Sequence, residues 1–292
     1  IDPQTYNLDP VRLAERLQSL PASTGSGIVI PVHFAGQCCD MEAIADICCQ
    51  RGFRIIEDAS HALGSHWIDV EGVRQQVGNC SHSHMAIFSF HPVKNITTGE
   101  GGAIMTNDEE LYEKLLRLRN HGIARGAKCR VSCDDPWYYE MQDLGFNYRI
   151  TDFQCALGSS QLKRLDKWVE RRREIAGEYD AALQHIDGVV TPFQRPGSYS
   201  AYHLYIVRVL GGSVTRRRVY DELREEGIGV QVHYVPVHLH PYYQETYGCR
   251  RGDYPLSEAY YEECLTLPVY PKMRPDDVRY VVDALTREIA TC

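Results

Sequence analysis

Apolar residues along the first hundred positions fall into short runs separated by amphipathic stretches. Asp9 to Leu20 carries Leu13, Leu17 and Leu20 at three- and four-residue intervals, which predicts one apolar helix face. Ile28-Val29-Ile30-Pro31-Val32 is a short apolar run, followed by a helical stretch from Met41 to Arg51. A second run, Phe53 to Ile56, ends in the polar cluster Glu57-Asp58-Ala59-Ser60-His61. Met85 to Phe90 and Gly101 to Thr106 make the third and fourth runs. Short strands alternating with helices predict an α/β fold whose mostly parallel sheet is covered on both faces. Ligands of such sheets bind beyond the carboxyl ends of the strands, and Asp58, His61 and Lys94 all follow strand runs in that way.

Further along, Glu109 to Asn120 predicts a helix with Leu111, Leu115 and Leu118 on one side. Residues 124–143 read as an irregular loop, and Thr151 to His185 as one long helix, rich in charge after Gln161. After Gly188 the pattern changes to a strand (Tyr202–Val209), a helix (Arg216–Glu226), a strand (Gly229–Tyr234) and a final helix (Pro275–Ala290). The expected organisation is a large domain over 1–187 and a small α+β domain over 188–292. Ser23-Thr24-Gly25-Ser26-Gly27 reads as a flexible loop.

The chain has 292 residues, 43% of them apolar, enough for a sizeable core. A net charge of −8 points to a soluble protein and away from a nucleic-acid partner. No apolar run approaches the roughly 20 residues of a membrane-spanning helix. The start, Ile1-Asp2-Pro3-Gln4, lacks the basic and apolar regions of a signal peptide, and the absence of an initiator Met points to a processed or incomplete chain. Eleven cysteines, in adjacent pairs (Cys38-Cys39, Cys48-Cys49) or scattered singly, do not resemble a disulfide framework. Cys80, His82 and His84 lie close together, but no C-x-x-C spacing accompanies them, so buried reduced thiols are expected rather than a metal site. Cytoplasm is the expected compartment.

The segment Ser89-Phe90-His91-Pro92-Val93-Lys94-Asn95, with Gly99-Glu100-Gly101-Gly102 behind it, carries the first candidate chemistry. A lysine just past a buried strand, held in a glycine-rich bend, is desolvated enough to become a nucleophile. Ser89 can donate to a phosphate beside it, and glycines let the backbone approach a ligand closely. Taken alone, the segment is better read as a surface lysine in a turn. Asp58 adds a carboxylate at a strand end, of the kind that keeps a pyridine-type cofactor protonated; alone, it is better read as a helix cap or turn residue. His61 could sit against a cofactor ring, or be a packed core histidine.

Three longer segments carry a resemblance: E-D-A-S-H-A-L-G-S (57–65), F-S-F-H-P-V-K-N-I-T-T-G-E-G-G (88–102) and L-G-F-N-Y-R-I-T-D-F-Q-C-A-L-G (144–158). They resemble the DegT/DnrJ/EryC1/StrS family of pyridoxal-phosphate (PLP)-dependent nucleotide-sugar aminotransferases, over essentially the whole chain. G-I-G-V-Q-V-H-Y-V-P-V-H (227–238) and H-P-Y-Y-Q (240–244) are similar to its pseudaminic-acid branch. The resemblance implies a fold-type I PLP-dependent transferase, with a mixed, mostly parallel sheet and a small C-terminal domain. It implies Lys94 as the Schiff-base lysine, Asp58 on the pyridinium nitrogen, Ser89 on the phosphate and His61 near the ring. Asn147 would reach the cofactor phosphate of a neighbouring subunit, because sites of this family form across a homodimer interface; Arg149 belongs to the same loop. His233 and Tyr234 would face the sugar nucleotide, although a strand end in a small domain explains them equally well.

The implied reaction takes an amino group from glutamate to a keto carbon of a UDP-linked 4-keto-6-deoxy-N-acetylhexosamine. Rival readings are an aminotransferase for a dTDP- or GDP-keto sugar and a catalytically silent binding or scaffold fragment. A dehydratase of the same family would have histidine at the lysine position, and Lys94 is intact. Family members also carry, ahead of this chain's first residue, a Gly-Thr/Ser turn for the cofactor phosphate and an aromatic residue stacked on the ring. Neither is found here, so a truncated chain that binds PLP poorly is expected.

Overall fold

The computed structural model describes residues 1–21, 25–131 and 135–291; Ser23 and Thr24 of the expected loop lie outside them. Helix α1 (Pro10–Ser19) starts at Asp9, whose carboxylate accepts from the Val11 and Arg12 N–H groups, and it buries Leu13 and Leu17. Strand β1 (Ile28–Val29) and helix α2 (Met41–Gln50) follow. Next come β2 (Arg54–Asp58), β3 (His66–Ile68), β4 (Arg74–Gln76), β5 (Met85–Ser89), β6 (Gly102–Met105) and helix α3 (Glu109–Arg119). One sheet has the order β1-β2-β5-β6, with β1, β2 and β5 parallel and β6 antiparallel to β5. Asp58 is in register with Ile87, so β2 and β5 end on the same side and the loop between β5 and β6 opens there. Leu13 and Leu17 of α1 and Ile44 and Cys48 of α2 pack with Ile55 of β2 in one core cluster, as the apolar periodicity predicts.

Three local features add to or differ from what the sequence predicts. A β3–β4 hairpin fills 66–76, turned where Asp69 Oδ1 accepts from the N–H groups of Glu71 (3.0 Å) and Val73 (2.7 Å). Part of the expected loop at 124–143 is ordered as strands β7 (Ile123–Arg125) and β8 (Tyr139–Met141), paired antiparallel. Here the backbones of Gly122 and Gly145 approach so closely that a Cβ on Gly145 would overlap the Gly122 nitrogen. The long helix expected over 151–185 is two helices, α4 (Asp152–Leu162) and α5 (Leu165–Leu183), broken where Arg164 N bonds to Gln161 O (2.8 Å). The two have different surroundings. None of the residues of α4 is buried, whereas α5 buries Leu165, Val169, Ile175, Ala176, Tyr179 and Leu183.

The remaining chain forms β9 (Val189–Val190), β10 (Ser198–Tyr199), β11 (Tyr205–Val209), α6 (Gly212–Glu225), α7 (Pro241–Tyr247), α8 (Pro255–Glu263), β12 (Cys264–Leu267) and α9 (Pro275–Ala290). Antiparallel β12-β11-β9 is its sheet, while β10 pairs with β3. Ile175, Tyr179 and Leu183 of α5 join Val207, Leu223, Leu265 and Leu285 in one core, so α5 packs with the C-terminal elements. The strand expected over 229–234 is absent: Val230 N turns back onto Ile228 O (2.9 Å), and only Gln231 makes a bridge, to Thr266. None of the described helices is long and apolar enough to cross a membrane.

Candidate active site

The β5–β6 loop carries Lys94 to the mouth of the sheet. Phe90 anchors the loop, with its N–H on Gly101 O (2.9 Å) and its carbonyl accepting from Thr98 N (3.0 Å). Asn95 Nδ2 donates to Leu63 O (3.0 Å), pinning the turn to the segment after β2. Gly102 is required by a close approach, because a Cβ there would stand 2.7 Å from Phe88 O. Lys94 is half-buried. Burial lowers its ammonium pKa, and nearby Asp58 works against that shift. Asp58 is itself fixed by its backbone, with its N–H on Pro31 O (2.9 Å) and its carbonyl accepting from His33 N (3.0 Å). Its Oδ1 accepts from Ser60 N (3.0 Å); among the described residues, Oδ2 has no hydrogen-bond partner.

His61 is locked as a neutral donor. Its Nδ1 accepts from Ala35 N–H (3.3 Å), so the ring proton is assigned to Nε2, which lies 3.3 Å from the Tyr234 hydroxyl. Burial and the Lys94 charge push its pKa down to about 3, against the pull of Asp58. Tyr234 is 47% exposed, and burial followed by the Asp58 charge raises its phenol pKa. His233 is held by Thr266 Oγ1 on its Nδ1 (2.8 Å) and by the Tyr260 hydroxyl on its carbonyl (2.9 Å). Burial and then Lys94 lower its pKa as well.

A further imidazole, that of His203, escaped the sequence reading. Its ring lies 4.6 Å from that of His61, and its buried Nδ1 has no partner among the described residues. Burial, His61 and Lys94 all depress its pKa. The Tyr202-His203-Leu204-Tyr205 stretch offers no signal for this beyond a histidine near a strand start.

The other expected residues divide. Ser89, at the end of β5, accepts from His91 N (3.3 Å) and keeps its hydroxyl proton free to donate. Asn147 and Arg149 are exposed and bond to each other (Arg149 Nη2 to Asn147 Oδ1, 3.3 Å). Among the described residues, neither hydrogen bonds with Asp58, His61, Ser89 or Lys94.

Beneath Asp58 lies a buried ionisable pair. His33 Nε2 stands 3.0 Å from Glu57 Oε2, with exposures of 0% and 1%. Cys39 N–H donates to His33 Nδ1 (3.0 Å), which leaves the ring proton on Nε2 facing the carboxylate. Burial favours a raised Glu57 pKa, but hydrogen bonds from His33, Ser83 Oγ and the Gly78 N–H outweigh it and hold the carboxyl below its ordinary range.

This arrangement fits PLP: an amine with lowered pKa and no hydrogen-bond partner among the described residues lies within electrostatic reach of a carboxylate whose second oxygen is unbonded among them. Comparisons with known proteins agree. The sequence pattern of the DegT/DnrJ/EryC1/StrS aminotransferase family matches residues 1–286. The spore coat polysaccharide biosynthesis protein SpsC of Bacillus subtilis is 41% identical over 288 residues, covering 98% of this chain and 71% of that protein. A UDP-4-amino-4,6-dideoxy-N-acetyl-beta-L-altrosamine transaminase of Campylobacter jejuni is 36% identical over 280 residues, covering 96% and 69%. The structure of Helicobacter pylori PseC, an aminotransferase involved in the biosynthesis of pseudoaminic acid, superposes with a TM-score of 0.85 at 27% identity, covering 98% of this chain and 71% of that one.

Proposed function

Because the chain belongs to the DegT/DnrJ/EryC1/StrS aminotransferase family, whose members are PLP-dependent sugar aminotransferases, we propose that it moves the amino group of glutamate to the keto carbon of a UDP-linked 4-keto-6-deoxy-N-acetylhexosamine, in bacterial surface-sugar biosynthesis of the pseudaminic-acid type. The observation that carries the substrate is the 36% identity with the altrosamine transaminase across 96% of the chain. A keto sugar on dTDP or GDP is the second reading. The 41% identity with a spore coat polysaccharide biosynthesis protein leaves that reading standing, since it ties the chain to no one nucleotide.

Bound PLP supplies the electron sink that lets a proton leave the carbon bearing the nitrogen. The chain's own residues do the rest. The lowered Lys94 pKa would leave more of the neutral amine available to hold the cofactor's carbonyl carbon, and the same amine would be placed to carry a proton to or from the substrate carbon. Asp58 Oδ2 would keep the cofactor's ring nitrogen protonated. Ser89 Oγ would donate to the cofactor phosphate. The Tyr234 hydroxyl accepts from His61 Nε2–H, so its own proton is free for an acceptor oxygen of the sugar nucleotide. His233, whose ring lies 4.6 Å from that of Tyr234, is the second side chain we propose to face the sugar nucleotide.

In a panel of keto sugars assayed with glutamate and the PLP-loaded protein, kcat/KM for the UDP-linked substrate is expected to exceed that for dTDP- and GDP-linked ones by at least about tenfold. Turnover confined to a dTDP- or GDP-sugar would overturn the UDP assignment. Loss of the visible absorbance on adding glutamate alone tests the donor.

Two copies are proposed to assemble, with Asn147 and Arg149 serving the partner's site. The exposed apolar side chains of Trp137, Met141, Leu144, Phe146 and Phe153, together with the unburied α4, support this. A monomeric mass in analytical ultracentrifugation of the PLP-loaded protein would sink the proposal. Among the described residues Cys38, Cys39, Cys48, Cys49, Cys80, Cys155, Cys249 and Cys264 are free thiols, which supports a reducing cytoplasm as the place of work.

A further inference from the structure

Residues 200–204 cross from one core to the other, and two consecutive arginines of α5 hold them. Arg173 Nε donates to Ser200 O (2.8 Å) and its Nη2 to Tyr199 O (3.2 Å). Arg172 is buried, and its Nη1 donates to the carbonyls of Tyr202 (3.1 Å), His203 (3.4 Å) and Val269 (2.8 Å). Among the described residues no carboxylate pairs with Arg172. A buried guanidinium in that state is costly, so the carbonyls it gathers are the reason it is tolerated. From the other side, Ala201 N donates to Ser65 Oγ (2.9 Å) and Leu204 N to Ala35 O (3.3 Å).

Ala35 therefore serves two rings at once. Its N–H fixes His61 through Nδ1, and its carbonyl fixes the backbone next to His203. The rings meet with centroids 4.6 Å apart and planes inclined by 46°. His203 is 6% exposed, and among the described residues its buried Nδ1 has no hydrogen-bond partner. At this contact the fold uses the flat ring, since that nitrogen has no partner there.

We infer that His203 is a positioning residue: its ring backs His61 and keeps the Nε2–H of His61 on the Tyr234 hydroxyl, which leaves the Tyr234 proton directed at the substrate. Without that backing, His61 can rotate and tautomerise. Tyr234 then loses the donor that orients it. The inference about His61 rests on geometry alone, whereas the consequence for substrate rests on the aminotransferase reading of Tyr234.

Two variants that preserve buried volume separate ring from bulk: His203→Phe and His203→Leu. Histidine side-chain 1H–15N spectra of the PLP-loaded protein report the His61 tautomer, and steady-state kinetics report the KM for the sugar nucleotide. In wild type and His203→Phe, a single Nε2–H tautomer is expected, with KM within about twofold of wild type. In His203→Leu, mixed tautomers and a KM raised about tenfold are expected, while glutamate alone discharges the visible absorbance at the wild-type rate. Wild-type spectra in His203→Leu would overturn the inference, as would a Phe variant whose spectra are as perturbed as those of Leu. Mixed tautomers with unchanged KM would uphold His203 as the support of His61 and overturn the assignment of Tyr234 to the substrate.

Discussion

Lys94→Ala is expected to abolish the borohydride-sensitive visible absorbance of the PLP-loaded protein and to lower turnover by at least about 10³-fold, because in the proposed mechanism one side chain serves both as cofactor anchor and as general acid/base. Fold and chemistry separate cleanly at this position. Lys94 is half-buried, and its Nζ makes no hydrogen bond among the described residues, so its removal costs little stability and the variant should melt within a few degrees of wild type. The absorbance is read directly, and turnover is followed with glutamate and the keto-sugar panel. A variant that keeps the band, or a tenth of the rate, would show that another amine holds the cofactor. Asp58→Asn should be the milder lesion, because it leaves the anchor in place and weakens only the protonation of the ring.

Glu57→Ala has the opposite signature, with stability lost before chemistry is touched. It strands the His33 Nε2–H in a site of 0% exposure and removes the acceptor of the Ser83 hydroxyl. Breaking one partner of a buried pair costs about 3–5 kcal/mol, which for a chain of this size lowers Tm by roughly 10 °C. The pH dependence has a definite sign. The Glu57 carboxyl is held below its ordinary value in the folded protein. Its contribution is therefore fully present above the unfolded-state pKa of about 4.3 and is lost as pH falls through the folded value. The stability gap between wild type and Glu57→Ala should be widest near neutral pH and should narrow below about pH 4. Chemical unfolding at a series of pH values measures it; a gap independent of pH would mean that Glu57 is not an ionised partner of His33. Asp58 is the next residue and its carbonyl accepts from His33 N, so the pair also braces the strand end that presents Asp58.

Most of the framework could be read from the chain. The periodic leucines of α1, the apolar runs of β2 and β5, and the polar cluster after Ile56 all fall where the structure has them, because each is a local pattern matched to a local backbone period. Asp58, His61 and Lys94 stand out because each comes at or after the end of a strand run, where ligands of α/β sheets bind, and Ser89 because it lies five residues before Lys94. Three features resisted. The break between α4 and α5 carries no glycine or proline (Gln161-Leu162-Lys163-Arg164); it arises because the two halves meet different surroundings. The expected strand at 229–234 is replaced by an extended segment whose only bridge is to Thr266, since partner geometry rather than β propensity decides pairing. The reversed direction of β6 leaves no mark in a four-residue apolar run.

Sequence alone thus determined the residue types at the mouth of the sheet: the lysine in its glycine-rich turn, the carboxylate and the serine. Those assignments rest on motifs that are contiguous in the chain. The tertiary structure decided which groups surround Lys94. His61, His203 and His233 are more than 170 residues apart at the extremes, and only the crossing held by Arg172 and Arg173 brings His203 against His61. It also decided their protonation. Whether an imidazole is neutral, and on which nitrogen, depends on burial and on one backbone N–H, that of Ala35, and neither quantity is encoded at the histidine itself.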